Sequence, residues 1–114
     1  MKARVGDGLR RAGELMADGM WEFPDHVPPL HPGTLNLECS DRVQQAVGAQ
    51  PSFPMWSWRV RTFHEVTVGG YRAWAMVNRR RLEVVAPVRL RDELGLRTGD
   101  RVSVTPGWGV SDAG

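Results

Sequence analysis

"WRVRTFHEVTVGGYRAWAMV", residues 58–77, decides the fold. Val, Thr, Phe, Tyr and Trp crowd its two halves, and such β-branched and aromatic side chains suit a pleated, half-buried surface. Between the halves stands Gly69-Gly70, a pair that takes positive φ without steric penalty, as a two-residue hairpin turn demands. The stretch predicts two antiparallel strands joined by a tight turn.

Further strands follow in both directions. Residues 82–86, LEVVA, read as a strand; Pro87 then opens a short helix over VRLRDELG, which Gly95 can end in the left-handed conformation. LRTGDRVSVTP, residues 96–106, reads as a Gly-Asp turn and a last strand. Upstream, residues 2–5 predict a first strand, followed by a loop GDGLRRAG over 6–13 and a strand or turn over 14–20. The segment EFPDHVPPLHPG, residues 22–33, holds four prolines and must be a loop, because each proline removes a backbone donor. In residues 34–39, Leu35, Leu37 and Cys39 fall on one face of a strand and Thr34, Asn36 and Glu38 on the other. DRVQQAVGAQP, residues 41–51, is a candidate short helix. Many short strands, one or two short helices and Gly/Pro-rich turns imply a mostly β protein forming a small closed barrel, with a sandwich as the competing architecture. Residues 1–106 form one domain in this reading, and residues 107–114 a flexible tail.

Composition narrows the chemistry. The 114 residues suit one domain, and 41 % hydrophobic with 25 % charged is ordinary globular usage. No apolar run reaches the ~18 residues of a membrane span, and MKARVGDGLRR lacks a secretion signal's apolar stretch, so the expectation is a cytoplasmic protein. The lone Cys39 cannot form an internal disulfide. Fourteen of the 15 basic residues are Arg and only Lys2 is Lys. That excludes a GxxxxGK[ST] phosphate loop and an interior Schiff-base lysine, and leaves phosphate contacts to arginines and backbone N–H groups. His26, His31 and His64 lack metal-ligand spacing, and no serine sits in a nucleophile elbow. Trp56, Trp58 and Trp74 read either as barrel-wall residues or as a stacking platform.

Two segments, PGTLNLE over 32–38 and LEVVAPVRLRDELGLRTGDRVSV over 82–104, resemble the archaeal-type CTP-dependent riboflavin kinases. That resemblance implies a six-stranded cradle-loop barrel that converts riboflavin to FMN, with Mg²⁺ as cofactor and CTP and riboflavin as partners. It implies Thr34 and Asn36 as the metal ligands, Val88, Arg89, Leu90 and Arg91 as nucleotide contacts, and Glu83 as the residue that meets the acceptor. An N-terminal loop contacting the nucleotide would be Gly8, Leu9, Arg10, Arg11 and Gly13; it departs from the family, whose loop carries three glycines. The family's connection before Glu83 is also longer than MVNRRR, residues 76–81, which offers Asn78, Arg79, Arg80 and Arg81 as an altered acceptor site, an acidic-partner site or a solvated turn. The metal reading is physically sound: residues i and i+2 of a strand project to one side ~6.5–7 Å apart, and Mg²⁺ takes hard oxygens while phosphates supply negative charge.

A second reading keeps the barrel without catalysis, as a DNA-binding regulator or a nucleotide or small-molecule sensor. The regulator rests on the arginine excess and the LGLRTGDRV hairpin, and salt-dependent binding to duplex DNA would mark it; the sensor suits the altered first loop and the shortened connection before Glu83.

Overall fold

The computed structural model describes residues 1–7, 10–57 and 59–108, and of residues 10–12 the backbone alone. Among them are strands β1 (Lys2–Val5), β2 (Leu35–Glu38), β3 (Ser52–Trp56), β4 (Val60–Val68), β5 (Tyr71–Asn78), β6 (Arg81–Val85) and β7 (Arg101–Pro106), with helices α1 (Arg10–Ala17), α2 (Asp41–Gly48) and α3 (Leu90–Glu93). Six strands close an antiparallel barrel in the order β4-β5-β6-β2-β1-β7 and back to β4, with β3 attached outside. The mostly β, closed architecture expected from the sequence is what the chain adopts.

The hairpin at its centre is β4–β5, in register Val68↔Tyr71 across Gly69 (φ 56°) and Gly70 (φ 89°). β4 does more than pair with β5. Its other edge is shared end to end: residues 60–64 pair with β3 and residues 66–68 with β7. Glu65 stands at the changeover, donating its N–H to Pro51 O at 2.8 Å and accepting from Gly107 N at 2.9 Å.

Two apolar cores result. The first fills the barrel, with Val5, Leu37, Val66, Val68, Val84 and Val104 sealed from solvent and Val43 and Val47 of α2 packed on them. The second lies on the outer face, where Phe53, Met55, Phe63, Trp74, Met76 and Val85 are covered by Trp21 and by the proline-rich segment through Phe23, Val27 and Leu30. Phe53 and Phe63 stack at 6.0 Å, and Phe23 meets both edge-on at 5.9 and 5.7 Å. The proline-rich segment is thus a loop as read, yet it is the lid of a core rather than a solvated link.

Three features differ from the sequence reading. Residues 10–17, expected as loop and then strand or turn, form α1. Its Leu15 and Met16 pack on the outer core, and tertiary packing of that kind outweighs weak local propensity. β3 arises at SFPMW despite Pro54, because an outermost strand tolerates a missing donor. Trp58, expected in the hairpin, lies outside the described residues. Trp108, in the expected tail, docks on the barrel: its Nε1 donates to Ala73 O at 2.9 Å and its ring meets Trp74 at 5.2 Å. Residues 109–114 lie outside the described part. Among the described residues no helix is long and apolar enough to cross a membrane.

Candidate functional site

A cavity of about 530 Å³ opens where α1, the Pro32–Gly33–Thr34 segment and the β6–α3 connection converge. Its wall includes Gly13, Thr34, Leu35, Val84, Arg89 and Arg91. That volume lies in the ~300–1,000 Å³ range of small-molecule sites. α1 brings Gly13 against Gly33, where a Cβ on Gly13 would make an ordinary 3.6 Å contact with Gly33 Cα, while Gly33 itself takes φ 117°, a conformation that favours glycine. His31 N–H donates to Ala86 O at 2.9 Å, tying this segment to the end of β6.

Gly13, Thr34, Val88, Arg89, Leu90 and Arg91 therefore share one wall. Gly8 and Leu9 lie outside the described residues, and of Arg10 and Arg11 only their place in the first turn of α1 is described. Arg91 is anchored by donation from Nη2 to Gly6 O at 2.8 Å. Arg89 pairs with Asp92 at 2.7 Å with both side chains more than half exposed, an arrangement worth little and readily exchanged for an anion. α3 spans only four residues, so its dipole is small; attraction for phosphate at this wall falls to the guanidinium groups. Glu14, Ala17 and His31 also line the cavity. The sequence reading missed Glu14 and Ala17 because it had no helix there.

Asn36 is placed differently. It is 3 % exposed on the outer face of β2, opposite Leu35 and Leu37, and lines a second cavity of about 600 Å³ with Gly6, Asp7, Glu38, Cys39 and Arg79–Arg81. Its Nδ2 donates to Asp7 O at 2.9 Å, which leaves Oδ1 as the other amide atom. Oδ1 is buried and has no hydrogen-bond partner among the described residues. A buried acceptor left alone costs about 1–3 kcal/mol, a penalty that a cation or a hydroxyl donor would remove. Strand register sets Asn36 directly across from Glu83, and Glu83 Oε2 accepts from Asn78 Nδ2 at 2.9 Å. Residues 36 and 83 are thus neighbours, a juxtaposition invisible in sequence order.

The second cavity is rimmed by an unusual turn. β5 and β6 pair up to Asn78↔Arg81, leaving Arg79 (φ 38°) and Arg80 (φ 59°) as the two turn residues, both left-handed. Non-glycine residues pay roughly 1–2 kcal/mol each for that conformation. The surroundings hold it: Arg80 N–H donates to Gln44 Oε1 at 3.1 Å, Cys39 N–H donates to Arg80 O at 3.0 Å, and Gln44 Nε2 donates to Cys39 O at 3.2 Å. Burial pushes the Cys39 thiol above its ordinary value, and the Asp41 carboxylate adds to the rise, so the thiol stays protonated.

No group of three or more His, Cys, Asp or Glu gathers among the described residues; the oxygen donors near β2 are a hydroxyl, an amide and scattered carboxylates. Neither protein-family models nor curated proteins match this chain.

Proposed function

We propose that the protein is a magnesium-dependent phosphotransferase that takes CTP as donor and a small-molecule alcohol as acceptor, riboflavin being the acceptor its resemblance to the riboflavin kinases supplies. One observation carries this reading. The cavity joins Gly33 and Thr34 from one resembling segment to Val88–Arg91 from the other, with two arginines on a wall large enough for a nucleotide.

The metal residues fit their role chemically. Thr34 Oγ1 and Asn36 Oδ1 are neutral hard oxygens two residues apart, one lining each cavity, and the lone buried Oδ1 is an acceptor that a cation would relieve. Bound there, Mg²⁺ would neutralise charge on the phosphates as it redistributes during transfer. Everything else falls to the chain. Arg89 and Arg91 hold phosphate oxygens, Gly33 lets backbone come close, and Glu83 orients the acceptor hydroxyl beside Asn36. The hydroxyl oxygen bonds to the γ-phosphorus, the bond from that phosphorus to the bridging oxygen breaks, CDP leaves with the electron pair, and the hydroxyl proton passes to water. Phosphoryl transfer of this kind asks mainly for positioning and charge stabilisation, so a dedicated general base is not required.

Calorimetry with CTP and Mg²⁺, together with chromatography for FMN after adding riboflavin, tests the reading. CTP binding that Thr34→Ala and Asn36→Ala each weaken at least about tenfold, or 1.4 kcal/mol, is the expected result. Thermal melts of both variants separate loss of site from loss of fold. No CTP binding, together with duplex-DNA binding that falls steeply with salt, would replace this proposal by the regulator reading.

A further inference from the structure

The second cavity is not explained by nucleotide binding. It adjoins β2 on the side of Asn36, two residues along from Thr34 in the first cavity, so β2 runs from one cavity to the other. Donor phosphates held in the first cavity and an acceptor held in the second would flank the start of this strand. The lining is polar and of two kinds. Arg79, Arg80 and Arg81 bring guanidinium donors; Asp7, Glu38 and Asn36 bring oxygen acceptors. Glu38 stands in register between Arg81 on β6 and Arg4 on β1. Arg79, Arg80 and Arg81 are exposed, and none forms an ion pair among the described residues. Two of them occupy left-handed positions that glycine or asparagine would fill with less strain. A solvated turn has no use for arginine there, whereas an anion held bidentately does.

We infer that the second cavity is the acceptor site and that the acceptor is a hydroxyl-rich anion: a sugar or polyol bearing a phosphate or a carboxylate. The arginines take the anionic group, while Asp7 and Glu38 accept from hydroxyls, and Asn36, across the strand pair from Glu83, lines the same cavity. The flavin of the resembling family is neutral and offers these guanidinium groups no anionic partner. The inference rests on the phosphotransferase reading, and its test keeps the two apart.

The full chain and an Arg79→Gly/Arg80→Gly double variant are compared by calorimetry with ribose 5-phosphate against ribose, and with glycerate against glycerol, which distinguishes phosphate from carboxylate. CTP·Mg²⁺ binding is measured on both proteins, and phosphorylated products are sought by mass spectrometry, with riboflavin in the same panel. Glycine accepts both turn conformations, so the double variant melts at the same temperature or higher and still binds CTP. At least one anionic probe binds the full chain about tenfold or more tighter than its neutral counterpart, and the double variant loses that preference. Any product forms from an anionic acceptor and only with the arginines in place. Equal binding of charged and neutral probes, a preference that survives in the double variant, or riboflavin phosphorylated equally by both proteins overturns the acceptor assignment and leaves the nucleotide site standing. Failure of CTP to bind either protein removes the kinase reading and, with it, the acceptor role of the cavity.

Discussion

Two hairpin turns of the same length and the same left-handed backbone sit at opposite ends of β5, and they are built from opposite materials. At β4–β5 the residues are Gly69 and Gly70; at β5–β6 they are Arg79 and Arg80. The glycine turn is structural. Leu94 presses so close that a Cβ on Gly69 would stand 2.7 Å from its Cδ1, and Gly69 N–H donates to Ser103 O at 2.9 Å, fastening the turn to β7. The arginine turn carries backbone strain and needs Gln44 and Cys39 to hold it. Where the same geometry is available to glycine, charged residues that bear the strain point to a purpose outside the fold.

The sharpest way to break this comparison is Gly69→Val. A branched side chain at φ 56° is strained and obliges the Leu94 side chain to shift, and the loss should be roughly 3 kcal/mol, or a fall in Tm of about 12 °C, in a thermal melt. An unchanged melt would mean that the two turns are equivalent. Next in size is Gln44→Leu, which leaves Arg80 N–H and Cys39 O without their buried partner. It should cost about 2 kcal/mol by denaturant titration and loosen the arginine turn while sparing CTP binding. The smallest effect concerns Cys39, whose N–H holds Arg80 O. Because the folded chain keeps the thiol proton more tightly than the unfolded chain, this contribution to stability is complete below the ordinary thiol range and is lost as pH rises through the raised value. At about pH 8, iodoacetamide should modify Cys39 more slowly in the folded chain than in urea, with the gap closing as pH rises. Equal rates would show that the clamp opens freely.

Legibility in the sequence followed the range of the forces involved. The β4–β5 hairpin was plain because Gly69-Gly70 and the flanking alternation are local. The barrel followed from counting such segments. α1 was hidden because RRAGELMA has only Leu15 and Met16 to pack and no cap signal; what stabilises it is the outer core, formed by residues far along the chain. β3 was hidden by Pro54. The outer core did leave a trace: Ala73, Trp74, Ala75 and Met76 run without a polar break, as a strand buried on both faces must. Of the site, Thr34 and the Val88–Arg91 run were picked out as separate stretches, and folding alone sets them on one wall. Neither the pairing of Asn36 with Glu83 nor the lone amide oxygen could be read, since register and satisfaction of hydrogen bonds are properties of the closed barrel.

Pro54 has a consequence for the molecule among its neighbours. β3 is the sheet's outermost strand, the place where a second copy would otherwise add its own strand. Pro54 denies that newcomer a ladder donor at mid-strand, and near the strand's end Glu22 already exchanges both bonds with Trp56. The barrel thus carries its own guard against fibrous self-association, and Pro54→Val is where that guard would fail first.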